Sequence, residues 1–293
     1  MLSNMTKTYK VAENIFSIVL PEGSPLCSCL GQYEPFECES DSPLFVLEEV
    51  ESLPCGDLEL IYDQPCPKGE TKIRIFRSAE GMVFESSVTE WHPTSMRLLL
   101  NPDYSRGQLQ VLKPSEALFA LNNSLMLQYA FCCASHSTLE VHASVISCNG
   151  KGYLFMAPSG TGKSTHSCRW LENIPGSSLL NDDNPILRVM DNGSVRVFGS
   201  PWSGKTPCYK NEDYPVGALV QISRAPFNRA ERLGVLDSYA LIYGSSSGLK
   251  FLPSMCDALH SSFNAIVGTV PCFRMHCLPD ADAAKVCYEA VKD

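Results

Sequence analysis

The chain is short of positive charge. It carries 23 Lys and Arg against 32 Asp and Glu, a net charge of -9 and a pI near 5.2, and its cations are scattered. Such a balance supplies neither a basic stripe for a nucleic-acid backbone nor a polybasic patch for an anionic bilayer, so neither partner is expected. The opening residues Met1 to Lys7 lack the apolar core of a signal segment. The nearest approach to a membrane span, Ala117 to Ala134, is interrupted by Asn122, Asn123, Ser124 and Gln128, and reads as a buried helix of a soluble domain. Cysteine is plentiful, at 14 residues, but zinc-type spacing is missing. Cys27-x-Cys29 and the adjacent Cys132-Cys133 are not C-x2-C pairs. Reduced cysteines used as small apolar side chains, and a cytoplasmic location, are the expectation.

What is present divides in two. Residues 1–112 read as β-rich, with short apolar or alternating runs at 14–20, 44–47, 72–77, 82–88 and 96–100 between Pro, Gly, Ser and Asp clusters. No catalytic motif lies there. Residues 113–293 read as an α/β nucleotide-binding domain. Lys113-Pro114-Ser115-Glu116 opens a core helix running to about Ser135. A strand follows over 139–147, then an Asn149-Gly150 hairpin turn and a returning strand, 152–156. Strands are expected again at 178–181, 186–190, 194–198, 216–222 and 273–277. Helices are expected over 229–243 and from Asp280 to about Val291.

The returning strand leads into Ala157-Pro158-Ser159-Gly160-Thr161-Gly162-Lys163-Ser164-Thr165. A buried strand, a Gly-rich turn and a helix start are the ingredients of a nucleoside triphosphate site. Glycines let backbone N–H groups converge on phosphate oxygens, and the helix N-terminus adds partial positive charge. Ser159 to Thr165 would cradle the phosphates, with Lys163 reaching the β/γ-phosphates and Ser164 ligating Mg²⁺. The strict pattern G-x-x-x-x-G-K-[ST] occurs not here but at Gly199 to Thr206. That second match contains Pro201, is followed by Pro207, and precedes no helical apolar period, so no helix N-terminus points at it. The degenerate match is the better phosphate loop.

Phosphoryl transfer also needs metal ligands, a proton acceptor and cations. Asp182 and Asp183 end a short apolar strand, which in a parallel or mixed sheet lies on the same rim as the loop. One carboxylate can hold the metal while the other serves as base or second ligand. Lys205 could fold back toward the γ-phosphate, and His142 could face the same rim. Arg224, Arg229 and Arg232 are candidates for a phosphate-binding arginine. None of these is fixed by spacing alone.

Taken in order, Val141-His142-Ala143-Ser144, Ser159 to Thr165 and Asn181-Asp182-Asp183 resemble the HPr kinase/phosphorylase and ATP-dependent phosphoenolpyruvate carboxykinase superfamily, over roughly residues 138 to 206. The resemblance implies a P-loop mixed sheet flanked by helices, with ATP and Mg²⁺ (or Mn²⁺) as cofactors. It implies Lys163 on the β/γ-phosphates, Ser164 and Asp183 as metal ligands, and Asp182 as the base of a kinase or a second metal-site acid of a carboxykinase. It further implies His142 near the metal or γ-phosphate, and Lys205 as the lysine following a Gly-rich hairpin. Two departures stand out. Ala157 replaces the first glycine, and Gly-Ser-Pro-Trp-Ser-Gly-Lys occupies the place of the Leu-Glu-Ile-Arg-Gly signature, with its metal-binding glutamate. The leading expectation is a kinase transferring the γ-phosphate to a hydroxyl of a small molecule or of a protein or peptide Ser. A carboxykinase-like enzyme and an ATP-binding regulatory module with little turnover are the alternatives.

Overall fold

The computed structural model describes residues 3–292 apart from 55, 67, 68, 205, 249 and 251. The chain is mixed α/β and divides into two compact units, Met1–Cys132 and Cys133–Asp293.

The first unit holds β1 (Asn4–Val11), β2 (Asn14–Pro21), β3 (Phe45–Glu49), β4 (Glu59–Asp63), β5 (Lys72–Arg77), β6 (Met82–Ser87), β7 (Met96–Leu100) and β8 (Arg106–Val111). They form one eight-stranded mixed sheet in the order β1-β2-β3-β8-β7-β6-β5-β4. Helix α1 (Ala117–Cys133) belongs with this sheet. The Tyr129 hydroxyl donates to the Val11 carbonyl at 2.9 Å, and Gln128 Nε2 donates to the carbonyls of Val46 at 3.2 Å and Tyr104 at 3.0 Å. The Tyr129 ring meets the stacked Phe16–Phe45 pair edge-on. These contacts explain why the division falls after Cys132, and why the helix expected to open the second domain closes the first unit. The Pro114–His136 stretch is long and apolar enough to cross a bilayer, but 67% of its most apolar 18 residues is buried within the protein, as in a core helix.

The second unit contains β9 (Thr138–Glu140), β10 (Ala143–Cys148), β11 (Lys151–Met156), α2 (Lys163–Asn173), β12 (Ser178–Asp183), β13 (Ile186–Val189) and β14 (Val195–Phe198). The long β15 (Asp213–Arg224) follows, then β16 (Arg229–Arg232), α3 (Val235–Ser245), α4 (Pro253–Thr269), β17 (Cys272–Cys277) and α5 (Ala281–Val291). Strand β15 joins two ladders. On one side run β12-β10-β11-β15-β17-β16, and on the other β14-β13-β9. Strands β11, β15 and β17 are parallel neighbours. Strand β12 points the same way, because it is antiparallel to β10, which is antiparallel to β11. Helices α2 and α5 cover one face, burying Trp170, Ile174, Ala283, Ala284, Cys287 and Val291 against Tyr153, Phe155, Val220 and Met275.

Two expectations change. The helix expected over 229–243 begins only at Val235, because Arg229–Arg232 pairs antiparallel with β17 as an edge strand. The strand expected over 139–147 is broken at Val141-His142: β9 pairs with β13, whereas β10 pairs with β11 and β12. That break sets His142 at the rim where the site lies. The Asn149-Gly150 hairpin is tight, with both residues at positive φ (50° and 74°), as a primed turn requires.

Candidate functional site

The site sits at the C-terminal rim of the parallel strands, where ligands of open α/β sheets bind. The register brings its parts together. Ala143 of β10 lies opposite Met156, the last residue of β11, and opposite Asp183, the last of β12. The loop after β11, the aspartate pair and His142 therefore share one edge.

In the loop, Gly160 (φ 73°) and Gly162 (φ 128°) adopt backbone geometry that L side chains rarely take. Gly162 is the N-cap of α2 and provides no side-chain cap, so the first-turn N–H groups remain available to an anion. Lys163 is 8% exposed. Its Nζ donates to the Ala157 carbonyl at 3.0 Å and lies 2.8 Å from His142 Nε2. Burial pulls the Lys163 pKa down, while Asp183 and Asp182 oppose that shift. The Ser164 hydroxyl donates to Asp182 Oδ1 at 3.0 Å, and Asp182 is buried.

Asp183 has a different partner. Its Oδ1 lies 3.1 Å from His142 Nε2, and both side chains are 40% exposed. The His142 Nε2 atom thus has an ammonium and a carboxylate within reach but only one site for a hydrogen bond. It accepts from Lys163 or donates to Asp183, not both at once.

Asn181 fixes what faces the aspartates. Its Nδ2 donates to Ser200 Oγ at 3.1 Å and to the Trp202 carbonyl at 3.3 Å, and its Oδ1 accepts from Asn184 N at 3.0 Å. Gly204 N donates to the Asp182 carbonyl at 2.7 Å, and Ser203 bridges to Asp183. The Gly199–Thr206 loop is thereby held against the aspartate pair, and no helix follows it over 206–212. Lys205 itself lies outside the described residues.

Of the three arginines, Arg224 reaches the loop. Its Nε donates to the Thr161 carbonyl at 2.9 Å and its Nη2 to the Gly160 carbonyl at 2.5 Å. These two bonds tie the loop to the end of β15, and within the loop Thr161 N donates to the Pro158 carbonyl at 3.2 Å. Arg229 pairs with Glu231 at 2.8 Å, and Arg232 lies over the Phe273 ring; neither is at the loop.

Sequence reasoning passed over Glu140, two residues before His142 and only 2% exposed. Its Oε1 accepts from Ser247 Oγ at 3.3 Å, and its Oε2 has no partner. The available signal is a lone acid inside the apolar run Leu139-Glu140-Val141, two residues before His142. It also passed over Ser144 and Ser167, whose hydroxyls lie 2.6 Å apart and tie β10 to α2.

Among the described residues no cluster of three or more His, Cys, Asp or Glu side chains is arranged to hold a metal. What the rim offers is a hydroxyl and a carboxylate, both hard oxygen donors. That set suits Mg²⁺, which keeps several waters and takes one or two carboxylates plus substrate phosphates.

No protein-family model matches the chain, and neither does any curated protein. Among solved structures, the HPr(Ser) kinase/phosphatase from Coxiella burnetii matches at 14% identity and a TM-score of 0.30, covering 52% of this chain and 93% of that one. The likeness is a distant structural one.

Proposed function

We propose that the chain is an ATP- and Mg²⁺-dependent phosphotransferase of the P-loop HPr-kinase/carboxykinase-like kind, transferring the γ-phosphate to a hydroxyl of a small molecule or of a protein or peptide Ser. The observation that carries this reading is the Ser164–Asp182 contact at 3.0 Å. It sets a hydroxyl and a carboxylate side by side at the start of a helix whose preceding loop has its two glycines at positive φ.

The geometry favours exchanging the two aspartate roles that the resemblance implied. Asp182, buried and bonded to Ser164, suits the metal-side carboxylate. Asp183, half-exposed and beside His142, suits the base that takes the acceptor's proton. When bound, Mg²⁺ would neutralise charge on the β- and γ-phosphates. Lys163 leaves the Ala157 carbonyl and His142 for the β/γ-phosphates, its ammonium exchanging a neutral partner for a charged one. His142 Nε2 then has only Asp183 to pair with, and the imidazole orients that carboxylate toward the acceptor hydroxyl. Arg224 holds the loop open throughout, through its two carbonyls.

The test is γ-labelled ATP with Mg²⁺ and the purified chain, screened against metabolite and peptide acceptors. Label should move to an acceptor. Asp183→Asn should abolish transfer while ATP still binds, and Asp182→Asn should weaken Mg²⁺-dependent nucleotide binding. ATP binding with no transfer to any acceptor would favour the regulatory module instead. Phosphoenolpyruvate formed from oxaloacetate would favour the carboxykinase.

A further inference from the structure

The face of the eight-stranded sheet turned away from α1 carries a cleft of about 360 Å³. The α1 side is set by Gly107, where an added Cβ would meet the Gln128 and Leu47 side chains. The register fixes the floor of the cleft on the other side. Val19 of β2, Glu48 of β3, Gln108 of β8 and Leu99 of β7 are successive cross-strand partners, so they form one row. Val46 and Arg106, also opposite each other, form the next row on the same face. All six line the cleft, and so does Glu80 of the β5–β6 turn.

Charge is treated differently here from elsewhere on that face. Glu85 of β6 stands opposite both Arg74 and Arg97 and is bridged by them at 2.5 and 2.8 Å. Glu48 and Arg106 are diagonal neighbours on adjacent strands, close enough for side chains of their length to meet. They form no ion pair. Among the described residues, the side chains of Glu48, Glu80, Gln108 and Arg106 have no hydrogen-bond or ion-pair partner. Carboxylate, amide and guanidinium groups thus stand unpaired around an apolar floor of Val19, Val46 and Leu99, the make-up of a small-molecule pocket.

The charges select the ligand. Two carboxylates repel a phosphate or a dicarboxylate, and Arg106 leaves a simple amine only half matched. A zwitterion meets every group. Its ammonium suits Glu48 and Glu80, and its carboxylate suits the planar fork of Arg106. Gln108, beside both in register, can donate to the one end and accept from the other. The three apolar side chains then face whatever the zwitterion carries. We propose that this cleft binds a free α-amino acid with an aliphatic side chain. It lies wholly within Met1–Cys132 and needs no nucleotide.

Calorimetric titration of the whole chain, without ATP, tests it. The probes are L-leucine, leucinamide (no carboxylate), N-acetylleucine (no ammonium), L-glutamate and L-arginine. L-leucine should bind, and each capped analogue should bind at least about tenfold more weakly, having lost one charge-assisted contact. Arg106→Gln should weaken leucine about tenfold and leave leucinamide unchanged. Glu48→Gln should weaken leucine about tenfold and leave N-acetylleucine unchanged. Neither side chain is buried, so both variants should keep the thermal unfolding profile of the unaltered protein. No leucine binding up to about 10 mM, or leucine binding that neither variant weakens, would overturn the site. Leucinamide or N-acetylleucine binding as tightly as leucine would overturn the zwitterion. Glutamate or arginine binding more tightly than leucine would overturn the aliphatic assignment.

Discussion

Glu140→Gln is the perturbation whose consequence follows most directly from the geometry. Glu140 is buried at the start of the rim, with one oxygen near the Ser247 hydroxyl and the other unpartnered. Desolvation, and secondarily the Asp183 charge, push its pKa from 4.5 up to about 8, with the Ser247 hydrogen bond opposing the shift. The sign follows from proton counting. Between pH 4.5 and about 8 the unfolded chain has lost this proton and the folded chain keeps it, so rising pH favours unfolding. Below that window both states hold the proton, and above it neither does. Each pH unit inside it removes about 1.4 kcal/mol, and integration from pH 5 to pH 8.5 gives a loss of roughly 3–4 kcal/mol from this one group.

The amide introduced by Glu140→Gln carries no titrating proton and can still accept from Ser247. At pH 5 the variant should therefore lie within about 1 kcal/mol of the unaltered protein, the cost of one more buried amide donor. At pH 8.5 it should be more stable by roughly 3 kcal/mol. Urea unfolding of both proteins across this range checks it, since every other titrating group cancels in the difference. A stability difference that stays constant with pH would refute the reasoning, because Glu140 would then ionise in the folded state much as it does in the unfolded one. The functional corollary is that a neutral Glu140 leaves Asp183 without a second negative charge beside it.

Three further expectations concern the loop. Ser164→Ala and Asp182→Ala should each weaken Mg·ATP binding, and the double variant should be weaker by less than the sum, since each removes the same 3.0 Å contact; a double-mutant cycle by calorimetry reads this. Arg224→Ala should raise the Kd for ATP by about tenfold through loss of two loop anchors, while the melting temperature changes little because Arg224 is exposed. Gly160→Ala should cost about 1 kcal/mol at φ 73° even though nothing lies within 4 Å of the added Cβ, and thermal unfolding measures that cost.

The second unit's rim was readable in the sequence because its signals were local. An Asn-Gly turn, an apolar strand, a Gly-x-Gly turn and a helix start are each written within a few residues. What was not local escaped. β1 and α4 were passed over, and Arg229–Arg232 was expected to be helical, because its partner β17 lies some forty residues later. Likewise, which aspartate meets Ser164 depends on the β10–β12 register, not on the order of two adjacent letters. The glycines show the same divide and bear on the first position of the motif. At Gly199 of the strict match a Cβ would stand 2.0 Å from the Lys210 carbonyl oxygen, and at Gly204 it would stand 2.9 Å from the Asp182 carbonyl oxygen. Those glycines answer to close backbone packing. Gly160 and Gly162 of the degenerate match answer to positive φ, which a phosphate-wrapping turn needs. Ala157 answers to neither. It is 8% exposed, has no positive φ, and packs in the same cluster as Phe155, Trp170 and Ile222, while its carbonyl receives Lys163. A methyl group at that position fills the core without touching the turn. The missing first glycine is therefore a packing substitution at the end of β11, and it leaves the backbone of the Gly160–Gly162 turn unaffected.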